Sequence, residues 1–258
     1  MNKYKKIVSI AATAVMCVAP MSVYAQEAQT DVIEAVAEKK QDTESSSVPV
    51  LQKEGIEISE GTGYDLSKEP GAATVKALEQ GTIVISYKTT SENAIQSLLS
   101  VGNGTKGNQD RHFHLYITNA GGVGMELRNT DGEFKYTLDC PAAVRGSYKG
   151  ERVSNTVALK ADKENKQYKL FANGELIATL DQEAFKFISD ITGVDNVMLG
   201  GTMRQGTVAY PFGGSIERMQ VYRDVLSDDE LIAVTGKTIY AENIFYAGDA
   251  TKSNYFRI

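Results

Sequence analysis

The chain contains no tryptophan, two histidines, two cysteines and five prolines among 258 residues. Its 27 Lys and Arg residues face 33 Asp and Glu residues, and the absence of a basic surplus argues against a nucleic-acid partner. Beyond the N-terminus no apolar run approaches the roughly 18 residues that a membrane span requires. An anionic ligand would therefore need a local basic site on a protein without a membrane span.

The catalytic motifs expected of common enzyme classes are also missing. The Glu-x-Asp-x-x-Glu strand of β-sandwich glucanases, the Gly-x-Ser-x-Gly elbow, the P-loop and the dinucleotide fingerprint do not occur. His112 and His114 lie two apart on a predicted strand and could hold a metal. Without a third ligand nearby, surface or groove-lining histidines are the favoured interpretation. We predict no catalytic site, metal or cofactor, and leave a structural calcium open.

The N-terminal segment has the composition of a secretory signal peptide. Three lysines precede the apolar stretch Ile7–Val18, and Val23-Tyr24-Ala25 places small residues at a cleavage site. Residues 1–25 are therefore predicted to be removed on export, and residues 26–48 form a polar linker. Removal leaves Cys140 as the single cysteine, which excludes an internal disulfide and predicts a buried small hydrophobe there.

Residues 49–237 are predicted to be one strand-rich domain. Gly81–Lys88 and His112–Thr118 alternate apolar and polar residues, and Asn173-Gly174 is a strong hairpin signal between two further strands. Ala94–Val101 fits a helix as well as a strand and is assigned as a strand from its neighbours. Val197–Met203 is predicted as a single strand.

A single short helix is predicted late in the domain. Ser227-Asp-Asp-Glu230 forms a capping box, and Gly236 is placed to end the helix. Many evenly spaced strands followed by one capped helix indicate an all-β fold, an antiparallel two-sheet β-sandwich of the jelly-roll type with a short late helix.

Glu126 and Arg128 stand out because residues two apart on a strand share a face. With a hairpin turn near Gly121, Tyr116 would lie across from Glu126 and His114 near Arg128, so that an acid, a base and an aromatic ring converge. The alternative is a solvent-facing ion pair beside a tyrosine, worth under about 1 kcal/mol.

A second cluster joins an arginine and an aromatic residue in a glycine-rich loop. Arg204 precedes Tyr210-Pro211-Phe212. The alternative to a binding role is a loop arginine packed on a tyrosine.

The closing half of the domain resembles known lectin folds. Phe171–Ile177 and Gly214–Tyr222 resemble concanavalin-like and laminin-G-like jelly rolls. More narrowly, Val50–Gly236 resembles the family-40 carbohydrate-binding module, the sialic-acid lectin domain at the N-terminus of many bacterial sialidases. Residues 238–258 resemble the start of a truncated sialidase catalytic domain. There Arg257 would be the first of three arginines that hold the substrate carboxylate.

The resemblance implies a role for each candidate residue. Arg128 and Arg204 would hold the sialic acid carboxylate, and Glu126 would accept a hydrogen bond from the N-acetyl amide. Tyr210 would pack against the sugar. Tyr116 and Ile95 would form the apolar wall for the acetyl methyl group.

The resemblance also implies the role of the whole chain. It would be a non-enzymatic carbohydrate-binding module that recognises terminal sialic acid on host glycans and mucin and targets an attached sialidase or intramolecular trans-sialidase. The protein would be secreted and could be held at the cell surface through a missing C-terminal region. The alternative is a laminin-G-like adhesion domain that binds a protein partner and needs no arginine pair.

Overall fold

A computed structural model describes residues 47–91, 93–105, 107, 110–129, 133–140 and 154–236. The predicted signal peptide, residues 26–46 of the predicted linker and the tail with Arg257 lie outside the described residues. Ser47 and Val48 are the described end of the predicted linker, and the side chain of Val48 is exposed.

The described residues form two six-stranded antiparallel sheets and a small two-stranded sheet. The strands are β1 (Leu51–Ile58), β2 (Tyr64–Asp65), β3 (Gly81–Thr89), β4 (Ile95–Gly102), β5 (His112–Thr118), β6 (Val123–Asn129), β7 (Phe134–Cys140), β8 (Asn155–Asp162), β9 (Gln167–Ala172), β10 (Glu175–Asp181), β11 (Asn196–Leu199), β12 (Thr202–Arg204), β13 (Thr207–Ala209) and β14 (Gly214–Tyr222). The first sheet has the order β1-β14-β3-β8-β9-β10 and the second β2-β11-β4-β5-β6-β7. The predicted two-sheet sandwich is confirmed.

The main hydrophobic core is built by alternate residues of the strands. On β5 the core side chains are Phe113, Leu115 and Ile117, and on β3 they include Ile83 and Ile85, all of them buried. Because strand side chains alternate between faces, the residues between these positions point away from the core. The outer face of β5 therefore carries His112, His114 and Tyr116, which makes this face available for a site.

The described residues contain two short α-helices, where the sequence predicted one. The late helix, α2, covers residues 228–236, and Ser227 and Glu230 form the predicted capping box through reciprocal hydrogen bonds. The missed helix, α1, is Ala72–Lys76. It has five residues, and its N-cap residue is Gly71, so the capping side chain of Ser, Thr, Asp or Asn that usually marks a helix start is absent. A 3-10 turn covers Ile188–Asp190.

Two turns decide how the strands connect. Asn173 and Gly174 both have positive φ angles, 52° and 90°, as the tight hairpin between β9 and β10 requires, and this prediction is confirmed. The prediction of one strand over Val197–Met203 is wrong. The chain breaks at Gly200, where φ is +68° and an added Cβ would lie 2.7 Å from Cδ1 of Ile58. After this break the chain begins the separate strand β12, and Arg204 is the last residue of that strand.

Two further features complete the description of the domain. In the described part of the chain, no helix has the length and apolar content to cross a bilayer. Cys140 ends β7 and is half-buried, so the prediction of a fully buried cysteine is wrong.

Candidate ligand-binding site

The candidate site lies on the outer face of the sheet that contains β4, β5 and β6. In the β5–β6 pair His112 faces Arg128, His114 faces Glu126, and Tyr116 faces Gly124. The sequence predicted Tyr116 across from Glu126 and His114 near Arg128, and this register is wrong by two residues. A two-residue shift keeps every side chain on its face, because the side-chain period of a strand is two. The predicted convergence of an acid, a base and aromatic rings is therefore correct, with different neighbours.

Glu126 is the charged centre of this face. Its Oε1 atom lies 3.1 Å from Nε2 of His112 and 3.4 Å from Nη1 of Arg128, and its Oε2 atom lies 3.5 Å from Nζ of Lys135. Burial opposes ionisation of Glu126, but the hydrogen bond with His112 and the charge of Arg128 outweigh it and lower its pKa to about 2. Glu126 is therefore a carboxylate, an acceptor for an N–H group, throughout the physiological range.

The two arginines predicted from the sequence are brought together by a third residue, Asp110. Nη2 of Arg204 lies 3.0 Å from Oδ1 of Asp110, and Nη2 of Arg128 lies 3.4 Å from Oδ2 of the same carboxylate. The arginine side chains keep 23% and 25% of their surface exposed, so solvent reaches both guanidinium groups. Arg128 comes from β6 and Arg204 from β12, and one carboxylate spans the gap between them.

Three aromatic rings pack against one another beside the arginines. The ring of His114 lies 4.6 Å from that of Tyr116 and 5.2 Å from that of Tyr210, measured between centroids. Tyr210 is held in place by its neighbours: its hydroxyl accepts a hydrogen bond of 2.7 Å from Nη1 of Arg204, and its carbonyl accepts one from the backbone N–H of Ser97. The guanidinium carbon of Arg204 lies 5.6 Å from the centroid of the Tyr210 ring.

The far end of this face is apolar. Ile95 pairs with Thr118, two residues from Tyr116, so by alternation Ile95 shares the face of Tyr116. Tyr116 is 6% exposed and donates a hydrogen bond to Asp139, while burial raises its pKa and keeps it neutral. Ile95 is half-buried and offers more of its side chain to solvent than Tyr116 does.

The sequence favoured surface or groove-lining positions for the two histidines. His112 and His114 are buried, at 1% and 3% exposure, which contradicts a surface position and is compatible with residues that line the site. A third group that could hold a metal is also close: ligand atoms of His112, His114 and Glu126 lie within 4.8 Å of one another. The adjacent guanidinium groups of Arg128 and Arg204 would repel a divalent cation at this position.

Sequence reasoning missed Asp110 and Lys135 as members of the site, and it considered His112 only as a metal ligand or as a surface or groove-lining residue. Lys135 faces Arg128 across the β6–β7 pair and contributes a third cation. The alternation of β7 could have placed Lys135 if that strand had been recognised. Asp110 lies in the loop before β5, and no periodic signal marks a loop residue.

A pH dependence of stability follows from the buried histidine. Burial lowers the pKa of His114 to about 3, and the neighbouring His112 adds to this effect. The folded-state pKa is depressed, so protonation of the unfolded chain below pH 6.5 favours unfolding, and stability falls as pH decreases from 6.5 towards 3. Glu126, with its lowered pKa, adds a loss of stability between pH 4.5 and about 2.

We expect the free energy of unfolding to decrease from pH 6.5 to pH 4.5 with a slope of up to about 1.4 kcal/mol per pH unit from His114. Urea titrations at a series of pH values measure this slope. In His114→Gln the contribution should disappear, whatever the change in overall stability. Equal slopes in the two proteins would contradict the assignment to His114.

Comparisons with known proteins identify the family of the chain. The family described as "Sialidase, N-terminal domain" matches residues 28–238. The "Anhydrosialidase" of Macrobdella decora is 65% identical over 243 residues, which are 92% of this chain and 32% of that protein. "Sialidase B" of Streptococcus pneumoniae is 31% identical over 180 residues, 70% of this chain and 26% of that protein. The chain thus spans under a third of the length of these relatives.

A solved structure with a bound ligand is similar to most of this chain. It is the Ruminococcus gnavus IT-sialidase CBM40 bound to α2,6-sialyllactose, which is 99% identical and covers 73% of this chain and 100% of its own, with a TM-score of 0.72.

Proposed function

The chain belongs to the sialidase N-terminal domain family, and on that basis we propose that it is a binding module for terminal sialic acid. The matched family is the N-terminal domain and not the catalytic domain of sialidases. The observation that carries the proposal is the pair of guanidinium groups of Arg128 and Arg204, which converge on a single carboxylate in the structure. Sialic acid is a sugar that carries such a carboxylate.

The arginine pair suits this ligand for a physical reason. A guanidinium group presents a planar fork of donors that matches the two oxygens of a carboxylate, and each charge-assisted contact is worth roughly 1.5–3 kcal/mol net. Two such groups that both remain partly exposed can hold an anion on a protein that is acidic as a whole. Neutral sugars have no carboxylate for this pair and offer it only uncharged oxygen acceptors.

The remaining residues of the site fit the other groups of the sugar. Ionised Glu126 accepts a hydrogen bond from the N-acetyl amide, and the Tyr210 ring packs against the sugar face. Tyr116 and Ile95 share the apolar end of the site and form a wall for the acetyl methyl group. The small exposed fraction of Tyr116 limits its contact to a ring edge, so Ile95 provides the larger part of the wall.

The module would act by targeting a larger enzyme. Because the relatives are about three times longer than this chain, we propose that the full protein carries a sialidase or intramolecular trans-sialidase domain after residue 238, with Arg257 as its first carboxylate-binding arginine. The protein would be exported after removal of residues 1–25. Single-site affinity is expected to be weak, about micromolar to millimolar, and attachment to mucin with many sialic acids would raise the effective binding.

Titration of the chain with α2,3-sialyllactose, α2,6-sialyllactose and lactose tests the proposal. Binding of both sialyllactoses and none of lactose is expected, because the carboxylate and not the linkage contacts the arginine pair. Equal binding of lactose, or no binding of either sialyllactose, would contradict it and favour an adhesion domain for a protein partner. The same preparation should not turn over an aryl sialoside.

A further inference from the structure

Asp110 occupies the space between the two arginines. It lies in the loop before β5, two residues from His112, and 30% of its side-chain surface is exposed. Its two oxygens are divided between two partners: Oδ1 accepts a hydrogen bond of 3.0 Å from Arg204, and Oδ2 is 3.4 Å from Nη2 of Arg128. This is the arrangement that the carboxylate of a bound sugar would need.

We propose that Asp110 is an internal surrogate ligand, whose carboxylate is exchanged for the carboxylate of sialic acid when the sugar binds. The inference rests on the proposed function and adds a residue that determines specificity. Before binding, Asp110 neutralises part of the charge of Arg128 and Arg204. On binding, its oxygens leave the Nη2 atoms of both arginines and return to water.

Other groups already hold the arginines in place, so orienting them does not depend on Asp110 alone. Nη1 of Arg204 donates to the hydroxyl of Tyr210 at 2.7 Å, and Nη1 of Arg128 lies 3.4 Å from Oε1 of Glu126. These contacts use the Nη1 atoms, whereas the contacts with Asp110 use the Nη2 atoms. Removing the Asp110 charge should therefore weaken its competition for the Nη2 donors without turning the guanidinium groups away.

The exchange makes binding selective for the whole sugar. A simple carboxylate replaces one pair of ionic contacts with an equal pair and gains little free energy. Sialic acid gains in addition the contact of its amide with Glu126 and of its ring with Tyr210. An anion binds only those molecules in which Asp110 has left the arginines. The apparent affinity for any anion is therefore lower than its intrinsic affinity for the open site. Asp110 thus excludes small anions at some expense of sialic acid affinity.

Asp110→Asn tests the inference, because asparagine keeps the size of the side chain and removes its charge. We expect the dissociation constant for α2,3-sialyllactose to fall by about three-fold or more, since two partly exposed ion-pair contacts are lost from the competing state. Acetate should inhibit sialyllactose binding at a lower concentration in the variant than in the wild type. Isothermal titration calorimetry, with and without acetate, measures both quantities.

Glu69→Gln is the matched control. Glu69 is 28% exposed and forms an ion pair of 2.8 Å with Lys53, and its substitution changes the net charge by the same amount. Affinity in this control should equal that of the wild type. Unchanged or weaker sialyllactose binding in Asp110→Asn, or unchanged inhibition by acetate, would overturn the surrogate role. Failure of the wild type to bind sialyllactose would instead refute the proposed function.

Discussion

Replacing Arg128 or Arg204 by alanine is expected to weaken sialyllactose binding by about ten-fold or more, because one charge-assisted contact of at least about 1.4 kcal/mol is lost. The remaining arginine would hold the carboxylate alone, with a single guanidinium group. Asp110 would keep one partner and would compete for it. The two alanine variants are therefore expected to lose similar amounts of affinity.

Lysine substitutions separate charge from geometry. Arg128→Lys and Arg204→Lys keep the positive charge but remove the planar fork, so affinity should still fall. Both arginine side chains are partly exposed, and the free energy of unfolding should change by less than about 1 kcal/mol in each variant.

Calorimetric titration with α2,3-sialyllactose measures these effects, and urea denaturation checks folding. Arg223→Ala is the control, because Arg223 is an exposed arginine directly after β14 and outside the site. Wild-type affinity in Arg128→Ala would show that this arginine is not part of the binding site. Equal losses in Arg223→Ala would point to a general effect of net charge.

Alternation along β5 and β6 made the face of the site predictable from the sequence. A strand has a side-chain period of two, so Glu126 and Arg128 share a face regardless of which residues lie opposite. The register was not predictable in the same way. The register depends on the turn between Thr118 and Gly122. The backbone N–H of Thr118 donates a hydrogen bond of 3.0 Å to the carbonyl of Gly122, so the hairpin is centred near Ala120 and not at Gly121. A shift of the turn by one residue moves every pair by two.

The long-range members of the site had no local signal. Asp110 and Arg204 are 94 residues apart and meet only because the break at Gly200 starts β12 beside the loop that precedes β5. Composition and periodicity describe residues that are close in the sequence. They do not predict a contact between residues that are far apart in it. The glycine-rich loop singled out Arg204, and the family resemblance supplied its role at a carboxylate, whereas Asp110 required the structure. The burial of His112 and His114 was not predictable either, because it depends on which other residues cover this face of the sheet.

Gly124→Ala is expected to damage the apolar end of the site. Gly124 lies directly across from Tyr116, and an added Cβ would lie 2.5 Å from Cζ of Tyr116 and 2.2 Å from Oδ1 of Asp139. Real Cβ atoms do not approach other atoms so closely, so the tyrosine ring and the carboxylate must both move. Overpacking of this kind costs about 1–3 kcal/mol of stability. Affinity for sialyllactose should fall by about ten-fold, which corresponds to about 1.4 kcal/mol.

A double-mutant cycle shows whether Gly124→Ala lowers the affinity by displacing the Tyr116 ring. In Tyr116→Ala the clash with Cζ is absent, so adding Gly124→Ala should cost little further affinity. Tyr116→Phe removes only the hydroxyl that donates to Asp139 and should cost less than either change. Calorimetric titration of the wild type, the single variants and the double variant measures the coupling. If the losses of binding free energy in the two single variants add fully in the double variant, Gly124 acts on binding independently of Tyr116. If both changes act on the same ring, the double variant loses less than that sum.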